Sequence, residues 1–191
     1  MLVVGLSCSP RKGGNTEILV KEALEGVKEK GGETQFISVV GKNLSGCIAC
    51  EKCMETAKCS IDDDMQEIHE AFIRADGIVF GTPAYFANVS SQAKAVIDRT
   101  YSMLFTKKLK NKVAASVVAT HRIGGAQIFG LLDFFFTNQR MLIAGGVVGY
   151  GYAKGEVRDG PGAWGPSAMD EARAVGKSVV RLIQRLEKGK E

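Results

Sequence analysis

Four of the five cysteines in this chain fall between positions 47 and 59. Cys47, Cys50 and Cys53 make two consecutive C-x2-C steps, and Cys59 follows after five intervening residues. Three thiolates at this spacing can curl around three corners of an Fe4S4 cube and leave the fourth corner to Cys59. Bacterial ferredoxins open on the same C-x2-C-x2-C run, although their fourth cysteine serves a second cluster. Here no second set exists, so all four would ligate one cluster. Three other readings compete. Structural zinc takes four cysteines, but normally as two separated pairs. Disulfides need an oxidising compartment. Unligated cysteines would be reactive thiols with no packing reason to sit in a loop. The spacing favours an Fe4S4 cluster on Cys47, Cys50, Cys53 and Cys59. Cys8 stands apart and reads as a small packing residue.

A second chemical feature follows the first apolar run. Ser7-Cys8-Ser9-Pro10-Arg11-Lys12-Gly13-Gly14-Asn15-Thr16 combines glycines, hydroxyls and cations just before a helical pattern begins. Exposed N–H groups at a helix start, flanked by such residues, suit a phosphate dianion. The loop has neither the Walker spacing nor the dinucleotide G-x-G-x-x-G fingerprint. Ser9, Arg11, Asn15 and Thr16 suit a terminal phosphate monoester better than a pyrophosphate. The plainer alternative is a capped turn in which Asn15 or Thr16 merely starts the helix.

Two further loops share the same expected sheet edge. Thr82-Pro83-Ala84-Tyr85-Phe86, with Asn88 beyond, places two aromatics where they can lie against a flat ring. Thr120-His121-Arg122-Ile123-Gly124-Gly125 is a small-residue loop after another strand. A phosphate loop, an aromatic loop and a glycine-containing loop on one edge together suit a mononucleotide with a large planar head, which is FMN.

These loops need a scaffold, and the apolar pattern supplies it. Strands are expected at residues 2–6, 34–40, 77–81, 113–119 and 141–148, most as nearly continuous Val- and Ile-rich runs of the kind buried on both sheet faces. Helices are expected at 16–30, 63–74, 91–103, 126–137 and 167–187. Asp62-Asp63-Asp64 should cap the second helix. Alternating β and α units imply one α/β domain over residues 1–191, a doubly wound five-stranded parallel sheet of the flavodoxin-like order 2-1-3-4-5. Two connections are too long for simple loops: residues 41–62, a cysteine-rich insertion after strand 2, and the glycine-rich residues 149–166. Both are site candidates.

Composition narrows the function classes. At 191 residues, the chain holds 45% hydrophobic and 24% charged residues, ordinary proportions for a globular domain. Its net charge of +4 is spread out, which argues against a nucleic-acid partner. No segment is apolar for long enough to span a bilayer. The apolar start lacks a basic segment before it, so it reads as a first strand and not an export signal. A cytoplasmic, reducing location follows, and there cysteines favour metal over disulfides.

Three motifs also carry a resemblance. SxSPRxxGNT at Ser7–Thr16, GTPxYFxxxSxxxKxxIDR at Gly81–Arg99 and the cysteine motif at Cys47–Cys59 together resemble the iron–sulfur flavoproteins of the NADPH-dependent FMN reductase superfamily. The likeness covers essentially the whole chain. It implies FMN phosphate on Ser9, Arg11, Asn15 and Thr16, and the isoalloxazine on Pro83–Phe86 and the Thr120–Gly125 loop. It also implies homodimers that pair into tetramers, with the cluster of one subunit approaching its neighbour's flavin. Reduced ferredoxin would be the donor, and oxygen or peroxide the two-electron acceptor. Many relatives lack the cysteine motif and use NAD(P)H directly, so an NAD(P)H-dependent FMN or quinone reductase with a structural or vestigial cluster is the alternative. A redox sensor or zinc-stabilised binding module is the non-enzymatic one. Little acid–base machinery is needed, and no residue is singled out as catalytic. His69 is expected on the surface, and His121 near the ring or an incoming proton. Arg122 is expected to offset charge on reduced flavin, and Asp98-Arg99 to form a structural ion pair.

Overall fold

The computed structural model describes residues 1–157 and 167–189. Five parallel strands form one sheet: β1 (Leu2–Ser7), β2 (Glu33–Ser38), β3 (Gly77–Pro83), β4 (Val113–Thr120) and β5 (Leu142–Tyr150), in the order β2-β1-β3-β4-β5. This is the expected flavodoxin-like topology. β3 and β4 are buried along their whole length, whereas the edge strands β2 and β5 are only half-buried. The continuous apolar runs therefore mark the strands covered on both faces.

Among the described residues, seven helices accompany the sheet: α1 (Asn15–Lys28), α2 (Lys52–Thr56), α3 (Met65–Arg74), α4 (Ser91–Arg99), α5 (Tyr101–Leu104), α6 (Gly125–Asn138) and α7 (Ala168–Lys188). One core layer joins Leu19, Val20 and Val27 of α1 with Val175, Val179 and Ile183 of α7 against Val3, Val79 and Val117. The other joins Ile68 and Phe72 of α3, Val96 of α4 and Ile128 and Phe136 of α6 against Leu6, Phe80 and Val118. The α1–α7 crossing depends on missing side chains. A Cβ on Gly176 would lie 1.8 Å from the Ala23 carbonyl oxygen, and one on Gly26 would lie 2.0 Å from that of Arg173. Only glycine permits backbones to approach this closely.

The structure differs from the sequence expectation in three helices. The expected single helix over 91–103 breaks into α4 and α5 around Thr100. The Arg99 carbonyl there accepts from His69 Nε2 and Ser102 Oγ, and the Thr100 carbonyl from Gln139 Nε2, so side chains compete for the helical ladder. The five-residue α2 lies inside the insertion and buries nothing, which left no apolar period to read. Of the aspartates before α3 only Asp63 caps it, since Asp64 at the N-cap position makes no side-chain cap hydrogen bond. Asp63 accepts from the N–H groups of Met65 and Ser45, and Asp64 from that of Asn43, which ties the insertion's start to the helix.

Candidate functional site

The order β2-β1-β3 sends the chain in opposite directions after β1 and β3, and a crevice opens at the carboxyl ends of those strands. The loops after β1, β3, β4 and β5 line it: Ser9, Arg11, Gly14, Asn15 and Thr16; Pro83, Ala84 and Tyr85; Ala119, Thr120 and His121; and Gly151, Tyr152, Ala153 and Lys154. The cleft has a volume of about 270 Å³.

Its floor is a helix start. Gly14 precedes α1 and offers no side chain to cap it, so the first-turn amides face the cleft without a side-chain acceptor. Asn15 does start the helix, as the plainer reading expects, but no side chain caps it. Ser9 Oγ accepts from Arg11 N–H at 3.2 Å and fixes the turn. Thr16 is buried, and Arg11 is exposed beside it. This arrangement fits a phosphate dianion.

Asn15 behaves differently from expectation. Its Nδ2 donates to Ala153 O at 3.1 Å, and its Oδ1 accepts from Gly155 N–H at 2.8 Å. The amide thus latches the loop after β5 over the cleft. Gly151 is needed for the latch, since a Cβ there would lie 2.1 Å from Asn15 Nδ2 and 2.0 Å from Glu156 O. Tyr152 and Lys154 enter the cleft by this route, and His121 stacks edge-on to Tyr152 at 4.6 Å. The sequence marked this glycine-rich connection without choosing residues in it. Its later part, residues 158–166, lies outside the described residues.

Other expected ring contacts divide. Thr82 is fully buried and serves the scaffold: its Oγ1 accepts from Ser90 N–H and donates to Pro83 O. Phe86 and Ala87 hold positive φ in a tight turn closed by Tyr85 and Asn88, which exchange backbone hydrogen bonds. Phe86 is fully exposed at its tip. With Arg122, Ile123 and His121 it borders a shallower neighbouring groove, so Arg122 stands beside the cleft and not in it. Gly124 and Gly125 are packed beneath, against Ala87 and Val148. Asn88 Oδ1 accepts from Val89 N–H. Ser7 is buried and Pro10 exposed, and neither lines the cleft.

The second site is the cysteine loop. Cys47, Cys50, Cys53 and Cys59 line one concavity of about 200 Å³, closed by Arg99, Tyr101 and Ser102. Cys50 Sγ lies 3.2 Å from Ser60 Oγ, which with the Lys52 N–H holds that thiol below its usual range. Burial, then the other three cysteines, pushes Cys53 up. Among the described residues, no three His, Cys, Asp or Glu side chains are drawn together at closed ligand spacing. Four thiols on one wall nevertheless fit an iron–sulfur cluster in donor type and number. Cys8 is fully buried and burial raises its thiol well above the usual range, as suits a packing residue.

Two expectations near this loop are overturned. His69 is buried, not on the surface: Nε2 donates to the Arg99 carbonyl at 3.1 Å, and burial lowers its pKa to about 4. Asp98 and Arg99 do not pair with each other. Successive helix residues point apart, so Asp98 pairs with Lys94 one turn back and Arg99 turns inward to Asp63.

Comparison with known proteins shows the family. Residues 1–155 match the family model for NADPH-dependent FMN reductases. An iron–sulfur flavoprotein of Methanocaldococcus jannaschii is 37% identical over 98% of this chain and 100% of its own. The chain belongs to the iron–sulfur flavoproteins. A second member, from Archaeoglobus fulgidus, is 34% identical over 98% of each chain. An archaeal flavodoxin structure shares the fold at a TM-score of 0.62 and 12% identity, covering 96% of this chain and 99% of that one. As a family member, this chain is an FMN-dependent oxidoreductase. Among the described residues, no helix is long and apolar enough to cross a membrane.

Proposed function

We propose that this chain holds FMN in the cleft at the β1–β3 switch point and an Fe4S4 cluster on Cys47, Cys50, Cys53 and Cys59. It would pass electrons from a one-electron donor such as reduced ferredoxin to a two-electron acceptor such as oxygen or peroxide. The observation that supports this is that all four cysteines line one concavity, in a chain whose first helix starts at the cleft with no side chain capping it. When bound, the two groups would supply single-electron delivery and two-electron storage.

The chain's own residues orient and shelter. Ser9, Arg11, Thr16 and the first-turn amides of α1 would hold the phosphate. Pro83, Ala84, Tyr85, Thr120 and His121 would line the ring's place in the cleft, with Tyr152 and Lys154 contributed by the latched loop. His121, which lines the cleft beside Tyr152, would face the ring or an incoming proton. The cluster loop is closed by residues of α4 and α5 and shares no lining residue with the cleft. A second copy of the chain would therefore bring its cluster to this flavin, as a dimer or pair of dimers.

Direct use of NAD(P)H is the second reading, and the family description favours it. Anaerobic titration separates the two in the wild type and in a Cys50→Ser/Cys53→Ala variant. Ferredoxin-driven flavin bleaching that disappears in the variant supports the proposal. Equal bleaching by NADPH in both proteins, with none from ferredoxin, supports the reductase alone.

A further inference from the structure

The cysteine loop has no core of its own, since α2 buries no residue, yet one side chain closes it. Arg99, at the end of α4, is 2% exposed. Its Nη1 donates to Ser45 O at 3.2 Å and to Asp63 Oδ2 at 2.5 Å, and its Nη2 donates to Ile61 O at 3.1 Å. Ser45 and Ile61 flank the whole cysteine segment, so a single guanidinium joins its two ends. Asp63 completes the joint by accepting from Ser45 N–H at 2.9 Å. The arginine is itself braced, because its carbonyl accepts from buried His69 and from Ser102. One donor is left over: Arg99 Nε is buried without a partner, in a side chain that lines the same concavity as the four thiols and neighbours Cys59.

A buried N–H with no acceptor loses its hydration without compensation, so its retention calls for a partner. We propose that Arg99 is the positioning residue of the cluster: it brings the loop's ends together so that all four thiols line one concavity before metal arrives, and it donates its remaining N–H to a sulfur of the bound cluster, holding the reduction potential up. This inference rests on the cluster reading above. The direction follows from charge. A reduced cluster carries one more negative charge than an oxidised one, so a donor at sulfur stabilises the reduced form more. Asp63 offsets most of the guanidinium's net charge, which leaves the directed N–H as the larger effect. Lysine keeps the charge but has no planar fork to reach Ser45 O, Ile61 O and Asp63 together.

The test compares Arg99→Lys and Asp63→Asn with the wild-type full chain in two measurements. In metal-free protein, amide hydrogen exchange at residues 44–62 should speed up about tenfold in both variants, with β1, β3 and β4 unchanged. In protein reconstituted with iron and sulfide, the cluster's midpoint potential should fall in Arg99→Lys and rise in Asp63→Asn, where the guanidinium's charge is unmasked. Unchanged loop exchange in both variants overturns the brace, and equal potentials overturn the sulfur contact. If Arg99→Lys fails to fold, Asp63→Asn decides the brace by exchange, and the Arg99 Nε–H resonance of the reconstituted wild type, expected to shift on cluster reduction, decides the sulfur contact. Wild-type protein that takes up no iron and sulfide sinks the cluster reading instead, and the exchange comparison still tests the brace.

Discussion

The two sites are built in different ways. The cleft at the β1–β3 switch point is made mainly of backbone: a helix start, strand ends that continue the buried sheet, and a loop latched by one asparagine. The cysteine loop touches the core through side chains, chiefly the buried Arg99–Asp63 pair and the aspartates that hold Asn43 and Ser45. A site drawn from the sheet inherits the fold's rigidity. A site hung on one ion pair can change with that pair, because removing either partner leaves a buried charge uncompensated.

If that contrast is right, acid should act on the cysteine side first. Folding moves the His69 pKa down from 6.5 to about 4 through burial, so the unfolded chain takes up a proton that the native chain excludes. Stability should thus fall as pH drops from about 6.5 to about 4, by about 3 kcal/mol in all, and His69 should add no further loss below that. Asp63 adds a loss at lower pH: burial alone would raise its carboxyl, but Arg99 and two N–H groups outweigh this and hold it below the usual range. Denaturant melts across this range check the first step, and His69→Gln, which can still donate to the Arg99 carbonyl, should flatten it. A slope that survives the substitution contradicts the assignment.

The cleft should respond to changes that leave iron alone. Gly151→Val would drive a side chain into Glu156 O and the Asn15 amide, and should weaken FMN binding about a hundredfold at unchanged iron content. Arg11→Ala removes one charge-assisted contact to phosphate and should cost about tenfold in FMN affinity by fluorescence titration. The smallest effect is expected from Arg122→Ala, since that residue borders the neighbouring groove. A modest drop in flavin midpoint potential is predicted, and an unchanged value would remove Arg122 from the flavin's surroundings.

The backbone-built site was also the more legible one. Strand runs, the SxSPRxxGNT loop and the aromatic loop could be placed from periodicity and spacing, and they do meet at one edge. The roles of Asn15 and Thr82 were missed because each is used by a contact distant in sequence or turned inward: Asn15 to Ala153, and Thr82 to Ser90. On the cysteine side, spacing gave the ligands but not their support. His69, Arg99 and Asp63 look like solvated helix residues in a one-dimensional pattern, and their burial emerges only when α3, α4 and the loop pack together. Tyr152 and Lys154 carried one usable signal, their place between Gly151 and Gly155 in an overlong connection.

The most direct test is quantification of iron, sulfide and flavin per chain after anaerobic purification. The account predicts about four irons, about four sulfides and one FMN, with all the iron and sulfide lost in Cys50→Ser/Cys53→Ala while the flavin remains. One zinc per chain with no iron, or iron that survives the double substitution, would contradict it.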